Sequence, residues 1–153
     1  MNWLLVEDEA PKRDAIRTFI SEAFPSVRLI QAKSVRAANH EIRNHLFTLL
    51  LLDMSLPTFE ISSGEPGGRP QGFGGIEVMR FLEKEEIKVP VIVVTAYEAF
   101  PDKDGRPIGI KLLRDELERD FPTLFSGLIY FDPIAGKWTK ELRLLINAIP
   151  EVT

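Results

Sequence analysis

The segment "LLLLDMSLP", residues 49–57, places a carboxylate directly after four consecutive leucines and shortly before a proline. Residues 47–53 form a nearly continuous apolar run that ends in Asp53, and such a run predicts a central strand buried on both faces of a sheet. A strand held in the core fixes the position of the group at its end. Asp53 is therefore the first candidate functional residue of this chain.

Short apolar runs alternate along the rest of the chain with segments whose apolar residues recur at helical spacing. The predicted strands are 3–6, 27–32, 47–53, 89–96 and 127–131. The predicted helices are 11–24, a segment capped by Ser34 with the stripe Val35, Ala38 and Ile42, and then 74–86, 110–121 and 139–149. This alternation predicts an α/β fold of the flavodoxin-like (βα)5 class, a doubly wound parallel sheet with strand order 2-1-3-4-5.

The composition describes one ordinary domain over residues 1–153, with 44% hydrophobic and 27% charged residues. The chain contains no cysteine, which excludes disulfides, thiolate metal sites and cysteine nucleophiles. It shows neither a membrane-spanning run nor a signal peptide, so we expect a cytoplasmic protein without a membrane partner. The net charge of −4 gives no broad footprint for nucleic acid, and no direct nucleic-acid partner is expected.

Two segments rich in glycine, proline or both interrupt the alternation, one after strand three and one after strand four. Residues 58–75 and 97–109 are predicted to be long inserted loops. Neither contains the Gly-Lys-Ser/Thr of a Walker phosphate loop, and no G-x-G-x-x-G opens a helix after the first strand. The sequence therefore gives nucleotide binding little support.

Polar side chains follow the strands that the predicted order makes neighbours. These residues are Glu7, Asp8 and Glu9 after strand one, Asp53 and Ser55 after strand three, and Thr95 and Ala96 at the end of strand four. In an open α/β sheet the ligand site lies outside the carboxyl ends of the strands. We therefore expect the acids and the hydroxyl to converge there.

Clustered carboxylates repel one another unless a hard cation or bound protons neutralise them. Mg²⁺ is the natural cofactor for such a cluster, held by Asp8 and Asp53, by Glu7 directly or through a water molecule, and by the backbone carbonyl of Ser55. Once neutralised, Asp53 would attack a phosphoryl donor in line and form an acyl phosphate. Thr95, with Ala96 beside it, would then bind the phosphoryl oxygens.

Three motifs, in this order and spacing, resemble the receiver domain of two-component response regulators. "LLVEDEAPKRDAI" at 4–16 is similar to the family's first strand, acidic cluster and first helix. "LLLLDMSLP" resembles its phosphoacceptor strand, and "VIVVTAY" at 91–97 its fourth strand. The resemblance implies that Asp53 is the phosphorylated aspartate, that Glu7 and Asp8 bind magnesium, and that Thr95 is the switch hydroxyl.

The sequence departs from the family at the end of strand five, where receivers place a lysine, normally in a Lys-Pro pair. The segment "GLIYFDPIAGKW" at 127–138 has Asp132 and Pro133 instead, and a second alignment puts Ile129 at that position. Neither alignment restores the lysine. Lys137, a few residues further on, is an alternative source of the cation.

The function predicted first is that of a stand-alone receiver, not an enzyme, which accepts a phosphoryl group from a histidine kinase or phosphotransfer protein and signals to a downstream protein partner. No output domain is expected, because the last predicted helix ends close to Thr153. The alternative is a receiver-like interaction module that works without phosphorylation. An aspartate-based, magnesium-dependent phosphatase ranks third, since Ser55 stands where such enzymes need a second aspartate. The oligomeric state stays open, with a homodimer among the options.

Overall fold

The computed structural model describes residues 1–59, 74–96, 99–101, 107–134 and 136–150. The strands of the main sheet are β1 Asn2–Val6, β2 Arg28–Ala32, β3 Leu49–Leu52, β4 Val91–Thr95 and β7 Phe125–Tyr130, and two short strands, β5 Ala99–Pro101 and β6 Pro107–Gly109, lie between β4 and β7 in the chain. The five strands of the main sheet are parallel and lie in the order β2-β1-β3-β4-β7, which confirms the predicted flavodoxin-like order 2-1-3-4-5. The helices are α1 Ala10–Ala23, α2 Val35–Asn44, α3 Gly74–Lys84, α4 Ile110–Asp120 and α5 Lys137–Asn147.

The four leucines of β3 divide between two hydrophobic cores, one on each face of the sheet. Leu50 and Leu52 pack into the core that α2, α3 and α4 cover, whereas Leu49 and Leu51 pack into the core under α1 and α5. All four side chains are 0% exposed. Because burying each such side chain contributes roughly 1.5–3 kcal/mol, the strand that ends in Asp53 is held firmly from both sides.

The predicted cap of α2 is confirmed, since the Ser34 hydroxyl oxygen accepts a hydrogen bond from the Ala37 backbone N–H at 3.0 Å. Helix α5 begins at Lys137, two residues before its predicted start. Gly136 precedes it with φ of 70°, a left-handed conformation that glycine adopts without steric penalty. Among the described helices, none combines the length and the apolar character needed to cross a membrane.

The segment after β4 differs from its predicted loop. Residues Ala99–Pro101 (β5) and Pro107–Gly109 (β6) pair as a two-stranded antiparallel sheet, and α4 starts directly after it. The prediction of an irregular loop over 97–109 was therefore wrong for those two short strands. Most of the other predicted insertion, residues 60–73 of 58–75, lies outside the described residues.

Candidate functional site

Backbone pairing between neighbouring strands brings the first acids together. Val6 pairs with Leu52 in the parallel ladder, and the Asp53 N–H donates to the Val6 carbonyl at 3.0 Å. On the other side, the Glu7 N–H donates to the Ala32 carbonyl at 3.0 Å. Glu7 and Asp53 therefore extend the sheet by one residue on adjacent strands.

The three predicted acids, Glu7, Asp8 and Asp53, form one cluster. One carboxylate oxygen of each lies within 4.8 Å of the others. Glu7 is 1% exposed and Asp53 is 3% exposed, while Asp8 is partly exposed. Glu7 and Asp8 lie just before α1, where the positive end of the helix dipole favours negative charge.

Burial and mutual repulsion disfavour the charged forms of the acids in this cluster. Burial, as the largest cause, raises the pKa of Glu7 above its ordinary value, the Asp53 charge raises it further, and the Lys12 ammonium opposes the shift. Burial followed by the Asp53 charge also raises the pKa of Asp8. Both carboxyl groups thus hold protons more tightly than in water, which is the electrostatic condition that a divalent cation relieves.

Lys12 is a member of the site that the sequence analysis missed. Its side chain is 3% exposed, and its Nζ atom lies 3.1 Å from Asp53 Oδ1 and 2.5 Å from Glu7 Oε1. The same ammonium donates to the Val94 carbonyl at 2.7 Å. The sequence did indicate this position, because Lys12 precedes Ile16 by four residues and Ile20 by eight. That spacing places its side chain on the buried face of α1.

Two glycines hold the loop after β3 close to the start of α3. The Gly75 N–H donates to the Met54 carbonyl at 3.0 Å. A Cβ atom at Gly75 would lie 2.5 Å from the Asp53 carbonyl oxygen, and one at Gly74 would lie 2.4 Å from the Leu56 carbonyl oxygen. The missing side chains therefore allow the close backbone approach that packs this loop, including Ser55, against α3.

The remaining predicted residues lie at the ends of β4 and β7. Thr95 is 0% exposed as the last residue of β4, Ala96 follows it partly exposed, and the Thr95 carbonyl accepts from the Phe131 N–H at 2.7 Å. Asp132 comes next, and its Oδ1 accepts from the Ile134 N–H at 3.0 Å, so this acid closes its own turn. Lys137, the alternative cation, is exposed at the start of α5. Within the described part of the chain, the cation that forms an ion pair with Asp53 is Lys12.

Comparison with known sequences finds two similar proteins of matching length, while a scan against family models finds no match. The chain is 28% identical over 152 residues to the Detocs response regulatory protein DtcB of Enterobacter cloacae strain JD6301, covering 93% of this chain and 95% of that protein. It is 26% identical over 145 residues to the uncharacterized protein y4jR of Sinorhizobium fredii strain NBRC 101917 / NGR234, and the match covers 94% of this chain and 95% of that protein.

Solved structures of similar shape are receiver domains and response regulators. TrrA of Thermotoga maritima, solved in complex with Mg²⁺-BeF, superposes with a TM-score of 0.58 at 16% identity and covers 94% of this chain and 97% of that one. The receiver domain of the sensor histidine kinase PA1611 of Pseudomonas aeruginosa PAO1, with magnesium in its active-site cleft, gives 0.63 at 17% identity, covering 97% and 96%. At these identities the structural likeness establishes the fold.

Proposed function

We propose that this chain, which has the fold of a response-regulator receiver domain, accepts a phosphoryl group on Asp53 from a histidine kinase or phosphotransfer protein and signals through protein–protein contacts. The observation that carries the proposal is the position of Asp53. It ends the most deeply buried part of the sheet, beside two further acids and one buried ammonium. The similarity to a response regulatory protein over nearly the whole chain supports the same function.

The donor set fits Mg²⁺. Three carboxylates from two neighbouring strand ends offer oxygen ligands to a hard cation, and Lys12 supplies only one positive charge against them. Glu7, Asp8 and Asp53 would hold the ion, with the Ser55 carbonyl as a further oxygen ligand. When bound, Mg²⁺ supplies positive charge that screens the donor's phosphoryl oxygens from the acids.

The chain's own residues would carry the transfer as follows. An Asp53 carboxylate oxygen forms a bond to phosphorus while the phosphorus–nitrogen bond of a phosphohistidine breaks, and the leaving imidazole keeps that electron pair. The hydrogen bond from the Asp53 N–H to the Val6 carbonyl and the contact with Lys12 hold Asp53 in place, which lowers the entropic cost of its attack on a bound donor. Thr95, with Ala96 beside it, stands at the neighbouring strand end, where its hydroxyl would bind an oxygen of the new acyl phosphate.

One observation favours a second function, a receiver-like interaction module that works without phosphorylation. Lys12 already pairs with Asp53 and Glu7 and so partly neutralises the cluster without any metal. Asp132, an acid, also follows the end of β7. In this second function the cluster would be a structural feature, and the chain would act through its surface alone.

Turnover as a phosphatase is not proposed. Ser55 stands two residues after Asp53, where an aspartate-based phosphatase needs its general acid or base. A serine hydroxyl has a pKa far above neutral pH and is a poor general acid or base. The chain therefore lacks that catalytic group at the position where such phosphatases carry it.

Beryllofluoride, a mimic of a phosphoryl group, tests the proposal through thermal unfolding. We expect beryllofluoride with Mg²⁺ to raise the melting temperature of the wild-type chain, because a ligand bound only by the folded state stabilises it. Neither component alone should give the full shift, and Asp53→Asn should abolish the effect of beryllofluoride. An unchanged melting temperature for the wild type would instead favour the module that works without phosphorylation.

A further inference from the structure

The buried ammonium of Lys12 has no part in the transfer step described above, although it contacts Asp53. Among the described residues it is the only buried lysine or arginine, and its neighbours on the same helix face are Ile16 and Ile20. Removing an ammonium from water costs several kcal/mol unless charged and polar partners replace the water. The partners that replace this water are therefore the groups on which the ammonium can act.

The contacts of Lys12 join the ends of three strands. Its Nζ atom meets Glu7 after β1, Asp53 after β3, and the carbonyl of Val94 in β4. The ammonium donates hydrogen bonds to Asp53 Oδ1 and the Val94 carbonyl, and it forms an ion pair with Glu7 Oε1. The ammonium therefore has a fixed position, within hydrogen-bond distance of a carboxylate oxygen of Asp53.

Phosphorylation would add negative charge where three acids already converge. A phosphoryl group on Asp53 carries about two negative charges and three acceptor oxygens, comparable with those of other phosphorylated side chains. The residue near the end of β7 is Asp132, which is an acid and not a cation. Lys137 is exposed on α5. Among the residues that the structure describes, Lys12 is the cation that forms an ion pair with Asp53 and can offset this increase.

We propose that Lys12 binds the phosphoryl group on Asp53 and stabilises the acyl phosphate, so that α1 supplies the cation absent from the end of β7. This inference rests on the proposed function. On phosphorylation, one N–H of Lys12 transfers from Asp53 Oδ1 to a phosphoryl oxygen, while the Val94 carbonyl continues to anchor the ammonium. Lys12 is thereby a phosphoryl-binding residue.

The same geometry makes Lys12 a competitor of Mg²⁺ in the unphosphorylated chain. Both cations use the carboxylates of Glu7 and Asp53, and two positive charges a few ångströms apart repel each other. Removing the ammonium should therefore change two properties in opposite directions. Magnesium binding should become tighter, and the acyl phosphate should become scarcer and shorter-lived.

The test compares Lys12→Met with Arg17→Met, a matched loss of one positive charge from the exposed face of the same helix. Mg²⁺ affinity is measured by calorimetry, and phosphoryl yield and half-life by intact mass after acetyl phosphate at saturating Mg²⁺. For Lys12→Met we expect Mg²⁺ affinity to rise several-fold and phosphoryl yield or half-life to fall by about tenfold or more, the scale of one charge contact of this length. Arg17→Met should change neither by more than about twofold.

Each contrary result has a distinct meaning. If both properties of Lys12→Met fall together, the residue has only a structural role; if yield and half-life do not fall, it is only a competitor of the metal. Either result overturns the inference while the proposed function stands. If the wild-type chain takes up no phosphoryl group, the proposed function fails and the inference fails with it.

Two further measurements distinguish the loss of the ammonium from a folding defect in Lys12→Met. Lys12→Gln removes the charge but keeps a hydrogen-bond donor for Asp53 or Val94, and it should show the same opposite changes. In the wild-type chain, the nuclear magnetic resonance signal of the Lys12 ammonium should shift when beryllofluoride and Mg²⁺ bind. A signal that moves with Mg²⁺ alone but not on adding beryllofluoride would overturn the inference without any variant.

Discussion

Gly75→Ala tests how the loop after β3 positions Asp53. Alanine in place of a helical glycine ordinarily stabilises a protein by about 0.5–1 kcal/mol, because glycine loses more backbone entropy on folding. At Gly75 the added Cβ would lie 2.5 Å from the Asp53 carbonyl oxygen, 2.3 Å from Met54 Cε and 2.9 Å from Met54 Cα. Two of these three atoms belong to the backbone, so rotation of a side chain cannot relieve the contact.

Relief requires α3 and the loop to separate by roughly half an ångström or more, and such overpacking costs about 1–3 kcal/mol. The hydrogen bond from the Gly75 N–H to the Met54 carbonyl resists that separation. We therefore expect Gly75→Ala to lower the free energy of unfolding by about 2 kcal/mol. For a domain of this size the melting temperature should fall by roughly 4–8 °C.

Urea unfolding, followed by circular dichroism, measures this change. Gly109→Ala is the control, since a Cβ there meets no atom within 4 Å, and its effect should stay below about 1 kcal/mol. Because Asp53 shares the strained backbone, the rate of phosphorylation by acetyl phosphate should fall as well, by about tenfold or more. A stabilised Gly75→Ala variant with an unchanged phosphorylation rate would refute this account of the loop.

Glu7, Asp8 and Ser34 can each be tested with a single substitution. The raised pKa of Glu7 means that the folded chain binds this proton more tightly than the unfolded chain does. The free energy of unfolding of the metal-free protein should therefore fall as pH rises from 4.5 toward about 8. In urea unfolding, Glu7→Gln should reduce this dependence on pH. An equally steep slope for the variant would contradict the assignment. Asp8→Ala should weaken Mg²⁺ binding by about tenfold or more in calorimetry, and unchanged affinity would exclude this acid as a ligand. Ser34→Ala should remove the cap of α2 and lower the free energy of unfolding by about 1 kcal/mol; a neutral result would show that the cap bond contributes nothing measurable.

The sheet was predictable because its central strands β1, β3 and β4 are nearly continuous apolar runs. Leu49 to Leu52 face both cores, and only a sheet covered on both sides buries every residue of such a run. The acids of the site were predictable for a related reason. They follow strands one and three directly, and parallel strands end at the same edge of the sheet.

Three features escaped the sequence analysis, each for a physical reason. Residues 99–101 and 107–109 form strands of three residues that contain prolines, and both properties argue against a strand in a sequence. The left-handed backbone of Gly136 moves the start of α5 to Lys137. Lys12 was missed because its partners Glu7 and Asp53 meet it only through the fold, although its place on an apolar helix face carried a signal.

The proposed function depends on phosphorylation of Asp53. The most direct measurement is the intact mass of the chain after incubation with acetyl phosphate and Mg²⁺, beside Asp53→Ala and a metal-free control. We predict a gain of one phosphoryl mass that requires Mg²⁺ and disappears in the variant. A wild-type mass that stays unchanged, or a gain that persists in Asp53→Ala, would show that Asp53 is not the phosphoryl acceptor.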